Sequence, residues 1–174
     1  MLWNSGENKM IQGLILSIQF FTRIPINITV DFKEKNIRYC IFFMPLVGAM
    51  IGGLGGLTYY LIAPYNKLIA SFITLLTTII LTGGLHIDGL ADTFDGFLAN
   101  KDREKTLEIM KDSRIGAFGV LSIVLHVLFM FILIMTIEKA ALAMILSFSN
   151  SRLVAGIIIS YKKSAKAGGL GSLF

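Results

Sequence analysis

Three aspartates, Asp88, Asp92 and Asp95, have the spacing of neighbours on one face of a helix. At about 100° per residue, their side chains fall in a single narrow stripe. No lysine or arginine lies between His86 and Lys101 to neutralise them. A divalent cation would relieve this repulsion, and oxygen ligands favour magnesium, calcium or manganese over zinc. The stripe therefore predicts a metal site suited to phosphate substrates, and a solvated acidic face is the alternative interpretation.

Seven of the eleven acidic residues lie in the same stretch, between His86 and Arg114. The second half of this stretch, residues 101–114, has the mixed charge of an amphipathic surface helix. Lys111 and Arg114 lie where the chain re-enters an apolar run, and arginine suits bidentate phosphate contacts. Together with residues 113–119, these two basic side chains are predicted to supply hydrogen-bond donors to a phosphate. Anchoring of the following span in the cytoplasm is the alternative.

The elements that must position these side chains are long apolar runs. The 174 residues are 55% hydrophobic and 16% charged, with a mean hydropathy of +0.74. This composition excludes a soluble globular domain and a disordered chain. It predicts an all-α, polytopic transmembrane helical bundle in a single integral membrane domain. We expect a short membrane or interfacial helix at 10–22, four full spans at about 39–63, 68–85, 115–137 and 140–160, and a cytoplasmic acidic loop at 86–114.

Lysine and arginine alternate between high and low numbers along the connections. They number four in 23–38, one in 64–67, five in 86–114, one in 138–139 and three in 161–166. The positive-inside rule then places the first, third and last of these in the cytoplasm. The net charge of +5 is explained by these topology signals and by lipid headgroups, so nucleic acid is not an expected partner. The single cysteine, Cys40, excludes an internal disulfide and a cysteine-based zinc site.

Three glycines in the second apolar run, Gly48, Gly52 and Gly56, are four residues apart and share one helix face. Such a face lets another helix approach closely. The alternative is a phosphate-binding glycine loop, which would have to join a strand to a helix. The surrounding apolar run of 25 residues, 39–63, favours helix packing.

Two ionisable residues, His126 and Arg152, lie inside predicted spans, where such groups suggest function. For His126 a neutral histidine bonded to another helix is the more ordinary interpretation. For Arg152 a substrate contact and a structural ion pair both remain open. Together with glycine-broken helices, these residues suggest a transporter or channel subunit as an alternative function. The position of the acidic stretch in a predicted cytoplasmic loop, away from the bilayer midplane, argues against transport.

Five segments of the chain resemble the cobalamin synthases, the adenosylcobinamide-GDP ribazoletransferases. The match runs in order through essentially the whole chain, and its two central segments are long and unusual. The segments are residues 20–25 (FFTRIP), 43–48 (FMPLVG), 83–96 (GGLHIDGLADTFDG), 103–119 (REKTLEIMKDSRIGAFG) and 168–174 (GGLGSLF).

The resemblance implies a magnesium-dependent enzyme that crosses the bacterial inner membrane several times. It would join adenosylcobinamide-GDP to α-ribazole or its 5′-phosphate, release GMP and complete the lower nucleotide loop of cobalamin. The implied partners are the corrinoid nucleotide, α-ribazole and the lipid bilayer. A homo-oligomer or association with other cobalamin-assembly enzymes is a further expectation.

The resemblance also assigns roles to residues. The expected metal-binding and catalytic residues are Asp88, Asp92 and Asp95, and His86 is a further catalytic candidate. The expected substrate-binding residues are Lys111, Asp112, Ser113, Arg114 and Arg152, the last of them from its place in a span.

The chain departs from the family at its end, because members usually continue for several tens of residues beyond the glycine-rich segment. We therefore expect either a C-terminally truncated sequence or a shortened member. Residues 92–99 also resemble the opening of the CDP-alcohol phosphotransferase motif. Asn100 replaces the arginine of that motif and its second half is absent, so that family is not assigned.

Overall fold

The computed structural model describes residues 9–161, and all regular structure in this range is helical. The all-α fold predicted from the sequence is thereby confirmed. The glycine-rich segment 168–174 and the basic residues before it lie outside the described residues. The helices are α1 (Lys9–Phe21), α2 (Glu34–Ile62), α3 (Lys67–Thr82), α4 (Leu85–Leu98), α5 (Arg103–Ile109), α6 (Ala117–Thr136) and α7 (Ala140–Tyr161).

The apolar runs predict most of the long helices closely. The ends of α1, α6 and α7 lie within two residues of those expected. Helix α2 begins at Glu34 rather than at residue 39, because its polar first turn is also ordered. There the side-chain amide of Asn36 donates to the carbonyl of Asp31 at 2.9 Å.

Residues 86–114, which we predicted as a cytoplasmic connection with a helical aspartate stripe and a surface helix, contain most of α4 and all of α5. Most of this stretch is helical, and the preceding span ends at Thr82 rather than at residue 85. Gly83 and Gly84 have φ of 62° and 73°, and the chain bends by 86° between α3 and α4. Two consecutive left-handed residues are tolerated here because glycine has no Cβ. The predicted surface helix of 101–114 is confined to α5.

The first compact unit contains α1, most of α2 and α7. A Cβ added to Gly48 would lie 2.8 Å from the carbonyl carbon of Phe148, and one added to Gly52 would lie 2.8 Å from the Cα of Ile145. Real Cβ atoms do not approach backbone this closely, so only glycine permits this contact between α2 and α7. The helix-packing interpretation of the glycines is confirmed.

The second compact unit, residues 58–140, contains α3 to α6. Helix α6 packs against both α3 and α4, and α5 packs on α4. Leu75 of α3, Ile134 of α6 and Ala140 form the buried core of this unit. Helix α6 is therefore the support that holds the acidic helix α4 in place.

Three helices of residues 9–161 are long and apolar enough to cross a bilayer: α2, α6 and α7. The bent pair α3–α4 makes a fourth if the two helices are one broken span. The expectation of about four spans and a shorter first helix agrees with this. On α6, Leu125 and Phe129 are 58% and 60% exposed, as expected of side chains that contact lipid.

Candidate active site

The acidic stripe lies on α4, so the predicted helical geometry of the three aspartates is confirmed. Burial raises the pKa of Asp92, and the negative charges of Asp88 and Asp95 on the same helix raise it further. Asp88 is exposed, whereas Asp92 and Asp95 are half-buried. The three side chains therefore share a face but not an environment.

Asp95 caps the beginning of α6. One carboxylate oxygen, Oδ2, accepts the N–H of Gly116 at 2.7 Å, and Oδ1 accepts the N–H of Gly119 at 2.8 Å. Gly116 is the N-cap residue of α6 and has no side chain with which to cap its own helix. Asp95 supplies, from another helix, the oxygens that an N-cap serine or aspartate would normally provide.

The charge of Asp95 suits this position. It lies near the C-terminus of α4, where its own helix dipole disfavours a negative charge, but the N-terminal dipole of α6 favours one. Hydrogen bonds to a charged acceptor contribute about 1.5–3 kcal/mol each. A Cβ on Gly116 or Gly119 would collide with the Asp95 carboxylate. Both glycines are therefore required for the cap.

The structure distinguishes Asp95 from the other two predicted metal ligands. Among residues 9–161, no group of three or more His, Cys, Asp or Glu side chains is arranged to hold a metal ion. Both oxygens of Asp95 already accept backbone donors. Asp88 and Asp92, one helical turn apart, are the two carboxylates of the stripe that these bonds leave available.

Helix α5 packs against the neighbouring side of α4. A Cβ on Gly96 would lie 2.5 Å from Cγ of Met110, which directly follows α5. Around the axis of α4, Asp92 lies about 60° from Asp95 and about 40° from Gly96, on the arc between them. Asp92 therefore faces the side of α4 between its contacts with α5 and α6.

The connection from α5 to α6 contains the predicted substrate-binding residues Lys111, Asp112, Ser113 and Arg114, all exposed. Arg114 is already paired: its Nη2 lies 2.6 Å from Oδ2 of Asp112, and its backbone N–H donates to Oδ1 at 3.0 Å. These bonds from Arg114 lower the pKa of Asp112 to about 2. Asp112 thus orients Arg114.

Two backbone donors of residues 113–119, the segment that we expected to bring donors to a phosphate, are already used within the protein. The N–H groups of Gly116 and Gly119 donate to Asp95. Phosphate binding by the rest of this segment, and by the exposed side chains of Lys111, Ser113 and Arg114, stays a prediction.

His86 lies on the same helix as the aspartate stripe but on a different face. His86 is exposed in the first turn of α4, about 160° around the helix axis from Asp88.

Arg152 belongs to the first unit and is 6% exposed. Its guanidinium carbon lies 4.8 Å from the centre of the Phe148 ring. Its Nη1 donates to Ser151, whereas Nε has no hydrogen-bond partner in residues 9–161. No acidic side chain in that range lies within ion-pair distance, so a structural ion pair is not formed there.

Sequence reasoning missed the structural use of Gly96, Gly116 and Gly119. Their spacing within the motif segments was visible, but glycine spacing alone does not identify the atoms that occupy the space of a missing Cβ. Those atoms belong to Met110 and Asp95, which are distant along the chain or on another helix.

Comparison with known proteins adds a family match over most of the chain. The family described as cobalamin-5-phosphate synthase matches residues 13–174. Proteins named adenosylcobinamide-GDP ribazoletransferase are similar to the chain in several bacteria. That of Treponema denticola is 44% identical over 164 residues, which cover 94% of this chain and 63% of the relative. That of Caldanaerobacter subterraneus is 44% identical over 167 residues, with 94% and 67% covered.

The corresponding protein of Clostridium botulinum is 39% identical over 171 residues, covering 95% of this chain and 68% of the relative. The chain thus spans about two thirds of the length of the curated relatives it matches. No solved structure matches the chain. The matched range includes the acidic helix α4, the connection after α5 and the beginning of α6.

Proposed function

Because this chain belongs to the cobalamin-5-phosphate synthase family, we propose that it catalyses the transfer for which its relatives are named. Adenosylcobinamide-GDP would react with α-ribazole or its 5′-phosphate to give adenosylcobalamin or its 5′-phosphate, and GMP would leave. The observation that carries the proposal is the family match across 13–174, which includes the acidic face of α4 and the basic connection beside it. No observation favours the transporter alternative.

Phosphorus is the reacting centre of the proposed step. A hydroxyl oxygen of ribazole attacks the phosphorus attached to cobinamide, and the bond from that phosphorus to the bridging oxygen breaks. GMP leaves with the bridging oxygen. An aspartate of the stripe or His86 is the proposed acceptor of the hydroxyl proton, and His86 lies on the other side of α4 from Asp88. A role for His86 in proton transfer stays a prediction, which His86→Asn tests.

We propose magnesium as the cofactor and Asp88 and Asp92 as the residues that hold it. Magnesium usually takes one or two carboxylates and leaves its other positions for waters or substrate phosphates, which fits two aspartates one turn apart. When bound, magnesium would neutralise negative charge on the diphosphate. Lys111 and Arg114 supply further positive charge, and Asp112 orients Arg114.

The proposed location is the bacterial inner membrane, with α4 and α5 on the cytoplasmic side. Five lysines and arginines in 86–114 support this orientation. The corrinoid and nucleotide substrates would reach the acidic helix from the cytoplasm.

The first test is an assay of membranes that contain this chain, supplied with adenosylcobinamide-GDP, α-ribazole and magnesium. We expect GMP and a corrinoid product to appear together and only with magnesium. Asp92→Asn should lower the rate at least about 100-fold, since it removes a charge required in the transition state. The matched control is Glu104→Gln, which removes an exposed acid of α5 and should leave the rate unchanged. Near-normal turnover of Asp92→Asn at normal expression contradicts the proposed site.

A further inference from the structure

We propose that Asp95 is a positioning residue, which fixes the basic connection between α5 and α6 beside Asp88 and Asp92 and does not itself bind the metal. The proposal rests on the proposed function and divides the acidic stripe into two roles. Asp88 and Asp92 face substrate and metal. Asp95 organises the chain that carries Lys111 and Arg114.

Both carboxylate oxygens of Asp95 already accept hydrogen bonds within the protein. Each of its oxygens accepts one backbone N–H, at 2.7 Å from Gly116 and 2.8 Å from Gly119. These two donors, together with the dipole at the start of α6, already stabilise the negative charge. A cation at Asp95 would have to compete with this positive end of α6.

Both ends of the basic connection contact neighbouring residues of α4. At its beginning, Met110 packs against Gly96, with 2.5 Å between the Met110 Cγ and a Cβ added at Gly96. At its end, Gly116 is bonded to Asp95. Residues 111–115 are therefore held at both ends by consecutive positions of the helix that carries Asp92. Loss of either attachment would free Lys111 and Arg114 to move away from the acidic face.

Two variants break this attachment from opposite sides. Asp95→Asn removes the charge and leaves only one oxygen for the two N–H donors. Gly119→Ala keeps every carboxylate but places a Cβ against the Asp95 carboxylate. The matched control is Gly89→Ala on α4, where an added Cβ meets no atom within 4 Å.

The experiment combines three measurements on membranes of each variant: turnover, binding of Mn²⁺ as a spectroscopic probe, and hydrogen exchange of residues 111–119. For Asp95→Asn and Gly119→Ala we expect faster exchange in 111–119 and unchanged Mn²⁺ affinity. Turnover should fall about 10- to 100-fold, because small displacements of positioning groups have effects of this size. Gly89→Ala should match the unmodified chain in all three.

The opposite pattern would overturn the proposal. If Asp95→Asn weakens Mn²⁺ binding while Gly119→Ala binds Mn²⁺ normally and exchange of residues 111–119 is unchanged in both variants, Asp95 is a ligand. Exchange and Mn²⁺ binding do not depend on the identity of the substrate. They therefore decide the role of Asp95 even if the unmodified chain shows no transfer, which would count against the proposed function alone. If Asp95→Asn fails to fold, unchanged exchange of residues 111–119 and unchanged turnover in Gly119→Ala overturn the proposal.

Discussion

Identical side chains on one face of a helix have different neighbours in this protein. Asp88 is exposed, Asp92 is half-buried between two like charges, and Asp95 accepts two backbone hydrogen bonds. We therefore expect substitutions of the three carboxylates to differ in effect. We expect charge removal at Asp92 to affect chemistry and charge removal at Asp95 to affect the order of the following chain.

Arg152 illustrates a buried charge whose partner is not supplied by the described part of the chain. It is 6% exposed, and its only described polar contact is with Ser151, beside the ring of Phe148. Burial of a lone charge is costly. This cost agrees with the prediction that Arg152 contacts an anionic substrate, which stays untested.

The pair of Asp112 and Arg114 makes a pH prediction at the residue scale. Asp112 should titrate at about pH 2, below its ordinary value of 3.8, because Arg114 stabilises its charged form. A lowered pKa means that the stabilisation is complete above the ordinary value and is lost as the pH falls through about 2. Carboxyl NMR of Asp112 in detergent checks this. Arg114→Gln should return the titration towards 3.8, and an unmodified protein that titrates near 3.8 would show that the pair does not form.

At the scale of elements, glycines decide which helices can touch. Gly52 allows the backbone of α7 to reach α2, and Gly96 allows α5 to reach α4. At each contact, the glycine has no side chain, and a neighbouring element fills the space that a Cβ would occupy. The bend between α3 and α4 depends on glycine for a different reason, because Gly83 and Gly84 adopt a left-handed backbone.

Gly52 and Gly53 provide a matched test of helix packing. Gly52→Ala should destabilise the first unit by about 1–3 kcal/mol, as overpacking usually does, because its Cβ would lie 2.8 Å from the Cα of Ile145. Gly53→Ala is the control, since a Cβ there meets no atom within 4 Å. Thermal unfolding in detergent measures the difference. Equal midpoints for the two variants would contradict the close contact of α2 and α7.

At the scale of the whole molecule, the open question is how the bent pair α3–α4 relates to the membrane. Helix α3 has 16 residues, or about 24 Å, which is shorter than the roughly 30 Å apolar core of a bilayer. The lysine and arginine counts of the connections nevertheless place residues 64–67 and 86–114 on opposite sides. We therefore expect the pair to cross the membrane rather than to return to the same side.

Cysteine labelling tests this crossing. Cys40→Ser removes the single native cysteine, which is buried. Cysteines introduced at Tyr65, which is 89% exposed, and at Lys101 should then react from opposite sides in intact cells. A cysteine at Glu138 is the control and should behave as the one at Tyr65. Reaction of the Tyr65 and Lys101 positions from the same side would mean that α3–α4 is re-entrant.

The sequence by itself determined the features that depend on local pattern. Long apolar runs predict the helices and their membrane setting, because a bilayer requires about 20 apolar residues in a row. The spacing of the aspartates predicts one helix face, and the spacing of Gly48, Gly52 and Gly56 predicts a contact face. These properties follow from helical periodicity alone, so they can be predicted without knowing which helix is the neighbour.

Only the tertiary structure decided what the stripe contacts. The bonds from Asp95 to Gly116 and Gly119 join residues 21 and 24 positions apart, and they exist because α4 packs against the start of α6. The left-handed glycines that bend the chain between α3 and α4 are a second example. Periodicity identifies the residues on a face, but the partner of that face is selected by packing across the whole unit, which no local pattern encodes.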